Sequence, residues 1–173
     1  GLVIAEHIDP IEKKPLFHVL PGSKTCSIAT AGCNFRCTFC QNHEISQVRL
    51  CKDMIVGRET TPEEIVDRAQ ASGCASVAYT YTEPTVYFEF AYECCRLAHA
   101  KKLKNVFVSN GYMTEEAVEM IAPYLDGANI DLKAFTETFY KRECGAGLNP
   151  VLETLKQMKE QGIWLEITTL LIP

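Results

Sequence analysis

Apolar runs and amphipathic stretches alternate along most of the chain, and this pattern predicts five strands separated by helices. The β-rich runs that predict the strands are residues 25–30, 74–81, 105–109, 127–132 and 163–172. The helices predicted between them cover residues 62–73, 84–102, 114–122, 136–143 and 150–161. The best-marked boundary is Thr61-Pro62-Glu63-Glu64, which offers an N-cap threonine, a proline for the first helical position and a glutamate for a capping box.

This alternation requires a parallel sheet with right-handed crossovers, because each helix carries the chain back to the start of the next strand. A doubly wound sheet and a barrel of βα units both fit the pattern, and in either fold ligands bind at the carboxyl ends of the strands. Residues 25–173 form the predicted core domain. Residues 1–24 form a lead-in segment with a short amphipathic helix near residues 10–14, and Trp164 on the last strand is expected in the core.

The composition favours one soluble globular domain. The chain has 173 residues, of which 47% are hydrophobic and 23% charged, so it can build a sizeable core. Its net charge is -5, and its longest basic runs are the pairs at 13–14 and 101–102, which disfavours nucleic acid as a partner. The longest apolar run, 163–173, is shorter than the roughly 18 residues that a membrane helix needs. We therefore expect no nucleic-acid and no membrane partner.

Nine cysteines are the unusual part of the composition. Their number is odd and no signal peptide opens the sequence, so a reduced, cytoplasmic setting is favoured over a secreted disulfide scaffold. Three of them, Cys33, Cys37 and Cys40, form a C-x3-C-x2-C run directly after the first predicted strand. We expect the other six to be buried thiols: Cys26, Cys51, Cys74, Cys94, Cys95 and Cys144.

Three thiolates on one loop are suited to a soft metal centre, either an iron-sulfur cluster or zinc. A 4Fe-4S cube held by three cysteines keeps one iron open for a substrate or cofactor. The alternative is a structural or interaction protein in which His43 completes a tetrahedral zinc site. The cysteine spacing is unusual for zinc loops, and no second ligand pair follows.

The cysteine loop, residues 31–42, resembles the signature of radical S-adenosylmethionine (SAM) enzymes, including Phe39 just before the last cysteine. Within that superfamily the chain most resembles the branch around pyruvate formate-lyase activating enzyme. In that branch it is most similar to the radical SAM protein of the AmmeMemoRadiSam system. This finer resemblance is carried by residues 8–18 and 40–47.

The resemblance implies a partial (β/α)6 TIM-like barrel, here ending after the fifth strand. It implies that Cys33, Cys37 and Cys40 hold a 4Fe-4S cluster whose open iron binds SAM. An electron from reduced ferredoxin or flavodoxin would cleave SAM to methionine and a 5′-deoxyadenosyl radical. The radical would then abstract hydrogen from a substrate or from a glycine of a partner protein.

The resemblance also implies cofactor contacts at the ends of successive strands. The residues concerned are Phe39, Thr82, Glu83, Ser109, Asn110, Asp131, Lys133 and Thr168. Glu83-Pro84 matches a Gly-Gly-Glu-Pro-like motif, but Tyr81 and Thr82 replace the two glycines. Thr168 stands where activating enzymes of this branch have an arginine. Asp131 and Lys133 are also notable by themselves, because two charges at i and i+2 on one face of an apolar strand need a pocket or mutual pairing.

Overall fold

A single seven-stranded sheet organises the computed structural model, which describes residues 1–48 and 56–171. The strands are β1 (Leu2–Pro10), β2 (Lys24–Thr30), β3 (Arg58–Glu59), β4 (Ser76–Tyr79), β5 (Lys104–Ser109), β6 (Gly127–Asp131) and β7 (Trp164–Thr168). Their order in the sheet is β3-β1-β2-β4-β5-β6-β7. Strands β2, β4, β5, β6 and β7 are parallel to their neighbours in this series, which confirms the five predicted strands.

Helices connect the parallel strands in the predicted alternation. They are α1 (His43–Ser46), α2 (Pro62–Ala71), α3 (Phe88–Ala100), α4 (Glu115–Ile121), α5 (Glu137–Phe139) and α6 (Leu148–Glu160). A 3-10 turn, Pro84–Tyr87, precedes α3, and a π-helical turn, Tyr140–Cys144, continues α5. The predicted capping box is present: the Glu64 N–H donates to Thr61 Oγ1 at 3.3 Å, and the Thr61 N–H donates to Glu64 Oε2 at 3.0 Å.

The order of the parallel strands decides between the two predicted folds. Each new strand is added on the same side of the previous one, from β2 through β7. A doubly wound sheet reverses its direction at a switch point, whereas a βα barrel winds one way. The chain therefore has a partial TIM-like barrel of α/β type, as predicted.

Two strands were absent from the sequence prediction. β1 pairs antiparallel with β2 along its length, from Pro10 opposite Lys24 to Val3 opposite Thr30, and the short β3 pairs with its beginning. β1 carries charged side chains among its apolar residues; Glu6, for example, pairs with Arg68 of α2 at 2.6 Å. This mixture hid the strand, since its apolar residues do not alternate strictly. The helix predicted near residues 10–14 is only a 3-10 turn, Ile11–Lys13.

The lead-in segment after β1 covers the concave inner face of the sheet. Ile11 and Leu16 are fully buried and pack against Ala78 of β4 and Val106 of β5, with Val19 beside them. The convex face is covered by the helices, which bury the larger apolar cluster. The inside of the partial barrel, next to β4 and β5, is thus filled by side chains of the lead-in segment.

Hydrogen bonds fasten this segment across the sheet as far as the edge strand. Asn129 Nδ2 on β6 donates to the Pro15 carbonyl at 3.0 Å. On β7, Glu166 accepts the backbone N–H groups of Phe17 and His18, each at 2.9 Å. These contacts explain how Glu166 is accommodated on an otherwise apolar strand.

The edge position of β7 corrects one expectation. Trp164 is 51% exposed and is not a core residue, because no described strand pairs on the far side of β7. Five of the six remaining cysteines, Cys26, Cys74, Cys94, Cys95 and Cys144, are buried as predicted, whereas Cys51 lies outside the described residues. Within the described ranges, none of the helices has the length and apolarity needed to cross a membrane.

The packing of the lead-in segment can be tested with two neighbouring residues. Leu16→Ala should lower the free energy of unfolding by about 3 kcal/mol, because it leaves a cavity against the inner face of the sheet. Phe17→Ala, which truncates a side chain that is 58% exposed, should change it by less than about 0.5 kcal/mol. Urea denaturation of both variants measures the difference, and equal losses would show that the segment does not pack as described.

Candidate active site at the carboxyl edge of the sheet

The cysteine loop leaves the carboxyl end of β2 and is held in place by the π-helical turn. The Arg36 N–H donates to the Cys144 carbonyl at 2.8 Å, and the Thr38 N–H donates to the Glu143 carbonyl at 2.9 Å. Thr38 Oγ1 also donates to the Glu143 carboxylate at 2.6 Å. The loop between the first and last cysteine, residues 33–40, is therefore fixed by backbone contacts to a distant part of the chain.

The three loop cysteines are free, partly buried thiols. Asn110 Nδ2 donates to Cys33 Sγ at 3.7 Å, and the Cys40 Sγ lies 3.2 Å from Ser46 Oγ. Hydrogen bonds to sulfur stabilise negative charge on a thiolate and tune the potential of an iron-sulfur centre. The surroundings of the sulfur atoms are therefore suited to metal-bound thiolates.

Burial opposes the ionisation of two of these thiols. It raises the pKa of Cys33 to about 11 and the pKa of Cys37 to about 12. A nearby metal cation supplies the positive charge that deprotonates such thiols. Without a metal, Cys33 and Cys37 remain neutral at pH 7.

The two kinds of metal site place different demands on the donors. In the described part of the chain, no three His, Cys, Asp or Glu side chains are grouped so that they could hold one metal ion. A tetrahedral zinc site needs four ligands on a single ion. A 4Fe-4S cube is different, because each thiolate binds a separate iron and the sulfur atoms need not converge. The three loop cysteines are compatible with a cluster, in which each thiolate would bind its own iron.

A buried carboxylate joins the ends of β4 and β5. Glu83 is 2% exposed, and its Oε1 accepts from the Thr85 N–H at 3.1 Å, the Thr85 hydroxyl at 2.7 Å and the Ser109 hydroxyl at 2.8 Å. Its Oε2 accepts from the Asn110 N–H at 2.8 Å. Burial raises the pKa of Glu83, and these hydrogen bonds oppose that effect. The carboxylate thus accepts only from internal donors, and two of these donors, Ser109 and Asn110, are themselves predicted cofactor residues.

Asn110 extends this network to the cysteine loop. Its Nδ2 donates to Asn34 Oδ1 at 2.7 Å as well as to Cys33, and its Oδ1 accepts the Tyr112 N–H at 2.9 Å. The next residue, Gly111, has φ +71°, and a Cβ there would lie 2.8 Å from Ile130 Cγ2. The turn therefore favours glycine, and hydrogen bonds hold the Asn110 side chain toward the cysteine loop.

The two charged residues at the end of β6 pair with each other. Lys133 Nζ lies 2.6 Å from Asp131 Oδ2, and both side chains are partly exposed. Burial alone would lower the pKa of Lys133, but the Asp131 carboxylate outweighs it and the pKa is raised. The Lys133 backbone N–H donates to the Tyr140 hydroxyl at 3.0 Å. Mutual pairing therefore stabilises these charges without a ligand.

A cleft of about 470 Å³ opens beside this pair, within the size range of small-molecule sites. It is lined by Lys133, Ala134, Phe135, Thr136, Phe139, Thr169, Leu170 and Leu171. Phe39 of the cysteine loop packs against Phe139, with 5.9 Å between the ring centroids. The cleft, the ion pair and the loop therefore lie together at the carboxyl ends of the strands.

The last two predicted residues are already hydrogen-bonded within the protein. Thr82 is buried, and its hydroxyl donates to the Thr30 carbonyl at 2.8 Å. The Thr168 hydroxyl accepts from Asn129 Nδ2 at 3.0 Å. In this arrangement both hydroxyls support strand ends.

Three residues beside the site were not singled out from the sequence. They are Asn34, Ser46 and Asn42, and Asn42 Nδ2 donates to the Tyr81 carbonyl at 2.8 Å. All three lie within or just after the cysteine motif, so their position in the loop was the available signal. Their amide and hydroxyl groups gave no indication of which partners they would contact.

A comparison with known protein families assigns the chain to a superfamily. Residues 27–173 match the sequence profile of the Radical SAM superfamily. The chain belongs to the Radical SAM superfamily. The match begins inside β2 and includes the cysteine loop and all later strands. The resemblance stated from the loop is thereby confirmed at the level of the superfamily.

Individual relatives show how far the likeness reaches. The chain is 49% identical over 173 residues to the uncharacterized protein MJ0808 of Methanocaldococcus jannaschii, covering all of this chain and 50% of that protein. SuiB of Streptococcus suis, solved bound to S-adenosylmethionine, has a TM-score of 0.62 at 19% identity, over 80% of this chain and 31% of SuiB. The chain thus spans half or less of these proteins.

A pyruvate formate-lyase-activating enzyme domain is also among the structural relatives. The domain, from Bacteroides vulgatus, has a TM-score of 0.51 at 18% identity, over 56% of this chain and 60% of the domain. Likeness at this identity concerns the fold alone. The finer resemblance, to the AmmeMemoRadiSam protein, remains a prediction from the motifs.

The structural role of the buried carboxylate gives a direct prediction. Glu83→Gln should lower the free energy of unfolding by about 2 kcal/mol, because one carboxylate oxygen becomes an NH2 group facing a hydrogen-bond donor. Glu89→Gln, at an exposed position of α3, is the matched control and should be neutral. Urea denaturation measures both variants; an unchanged Glu83→Gln protein would contradict the network.

Proposed function

We propose that this chain is the catalytic core of a radical SAM enzyme that cleaves S-adenosylmethionine reductively. Cys33, Cys37 and Cys40 would hold a 4Fe-4S cluster, and the polar residues at the strand ends would hold SAM beside it. The proposal is supported mainly by one observation: the cysteine loop and the strand ends are joined through Asn110, which contacts both Cys33 and Glu83. A cofactor between the loop and the strand ends would touch both.

The protein groups have separate roles in this proposal. The Asp131–Lys133 pair presents a carboxylate for hydroxyl groups and an ammonium for a carboxylate, and both side chains are partly exposed. SAM carries ribose hydroxyls and a methionine carboxylate. Its binding would replace the Asp131–Lys133 contact with two others, one from the hydroxyls to Asp131 and one from Lys133 to the carboxylate. Phe39 and Phe139 offer an apolar wall to the flat adenine ring.

The network around Glu83 would act indirectly. Its carboxylate accepts four internal hydrogen bonds, so it holds the ends of β4 and β5 at a fixed separation. The backbone of residues 80–83 and the side chain of Asn110 would then meet the cofactor without rearrangement. Preorganised polar groups of this kind bind and orient a ligand at a low entropic cost.

When bound, the reduced cluster would supply the electron that breaks the sulfonium bond of SAM. We propose reduced ferredoxin or flavodoxin as the electron donor and the cytoplasm as the compartment. The hydrogen donor would be a substrate or, as in an activating enzyme, a glycine of a partner protein. The support for this last role is the motif resemblance together with the fold shared with the activating-enzyme domain.

Metal content and product formation test the proposal together. After anaerobic reconstitution, the complete protein should bind about four iron and four sulfide per chain, as a 4Fe-4S cluster requires. With SAM and a reductant it should form 5′-deoxyadenosine. Cys37→Ala should lose this activity, because the cluster loses one of its three ligands.

Cys74→Ala is the matched control. Cys74 is another buried thiol, but it precedes β4 at the opposite edge of the sheet, so its removal should leave cluster content and product formation near the parent level. A parent protein that takes up no iron or sulfide but binds one zinc tightly would overturn the proposal. So would a Cys37→Ala protein as active as the parent.

A further inference from the structure

The turn after β4 has an unusual backbone for the residue that it contains. Tyr81 has φ +65°, and the Thr82 N–H donates to the Thr80 carbonyl at 2.8 Å across it. This is a γ-turn of the rare form with a positive φ at its centre. Glycine adopts this conformation freely, whereas a residue with a Cβ is strained in it. The tyrosine must therefore be held in place by its surroundings.

The side chain of Tyr81 is anchored to the lead-in part of the chain. Its hydroxyl donates to Asp9 Oδ2 at 2.5 Å, and Lys14 Nζ lies 4.1 Å from the centre of its ring. His7 packs edge-on against the same ring, with centroids 5.8 Å apart. These contacts point the phenol ring toward β1. The backbone carbonyl of Tyr81 meanwhile accepts from Asn42, next to the cysteine loop.

Asp9 and Lys14 form a buried ion pair, which is costly unless it is well satisfied. Lys14 is 1% exposed, and its Nζ lies 2.8 Å from Asp9 Oδ2. Lys13, whose side chain is mostly exposed, contacts the other carboxylate oxygen at 2.7 Å. Burial would raise the pKa of Asp9, but hydrogen bonds from Lys13, Lys14 and Tyr81 outweigh it and hold the pKa well below its ordinary value. Asp9 is therefore a firmly ionised acceptor for the phenol.

We propose that Asp9 and Lys14 are positioning residues for SAM, acting through Tyr81 to hold the strained turn at residues 80–83. This inference rests on the proposed function, since the turn is the segment expected to meet the cofactor. Where the motif has glycine, this chain has tyrosine, and the phenol contacts replace the conformational freedom of glycine. Both Asp9 and Lys14 lie before residue 27, outside the region that matches the superfamily profile. The site would thus extend into β1, which carries Asp9, and into the segment after β1, which carries Lys14.

The main test is Tyr81→Phe in the reconstituted complete protein. The variant loses the hydrogen bond to Asp9 but keeps the ring, so the turn should spend less time in the binding conformation. Equilibrium dialysis should show a SAM affinity about three- to tenfold weaker. Amide exchange of residues 80–83 in the SAM-free protein should be faster. Tyr92→Phe, on α3 at the convex face, is the matched control and should change neither measurement.

A double-mutant cycle tests whether Asp9 acts through the phenol. Asp9→Asn should weaken SAM binding in the parent, and the additional loss should largely disappear when Tyr81 is already phenylalanine. An equal loss in both backgrounds would overturn the inference, and so would a Tyr81→Phe protein with parent affinity and parent amide exchange. If the Asp9→Asn variant does not fold, the SAM affinity and amide exchange of the Tyr81→Phe variant decide whether the inference holds.

The two lysines provide a second matched pair. Lys14→Met should weaken SAM binding in the same direction as Tyr81→Phe, whereas Lys13→Met should stay within about twofold of the parent, because exposed ion pairs contribute little. Equal effects would contradict the role of Lys14. A parent that carries its cluster yet binds no SAM would overturn the proposed function itself, and this inference with it. If the parent binds SAM and the Tyr81→Phe and Lys14→Met variants bind it equally well, the inference is overturned and the proposed function is not.

Discussion

The buried carboxylate of Glu83 is the interaction on which the carboxyl edge of the sheet depends. Burying a charge is costly unless donors surround it, and here four hydrogen bonds offset that cost. Two of the donors, Ser109 and Asn110, end the neighbouring strand, so the carboxylate fixes two strand ends at once. Asn110 then reaches Cys33, and the order imposed by one buried group extends to the cysteine loop.

The lead-in segment determines where a ligand can bind. Ile11 and Leu16 fill the concave face between β4 and β5, and Glu166 holds the following backbone at the edge strand. In the proposed function the ligand would therefore bind at the carboxyl ends of the strands, where the cysteine loop, the Asp131–Lys133 pair and the apolar cleft meet. β1, directly before this segment, brings the Asp9 carboxylate to Tyr81, and Lys14 of the segment pairs with that carboxylate. The part of the chain that fills the barrel thus also supports the site.

The sequence predicted the repeating framework, because parallel strands and their helices carry local signals: apolar runs, capping residues and turn glycines. The assignment of Cys33, Cys37 and Cys40 as cluster ligands came from their spacing and stays a prediction. Prediction from the sequence failed where structure depends on distant partners. β1 is stabilised by pairing with β2 and by ion pairs such as Glu6–Arg68. Trp164 is exposed because β7 lies at the edge of the described sheet. The hydrogen bonds of Thr82 to Thr30 and of Asn110 to Glu83 also join residues that are far apart in the sequence.

In the proposed function the cysteine loop and the strand ends form one site for a cluster and SAM. The electron paramagnetic resonance spectrum of the reduced cluster, recorded with and without saturating SAM, tests this most directly. If the amino and carboxylate groups of SAM bind the iron that has no cysteine ligand, adding SAM should change the spectrum. Identical spectra, at a concentration where dialysis shows SAM to be bound, would contradict the claim.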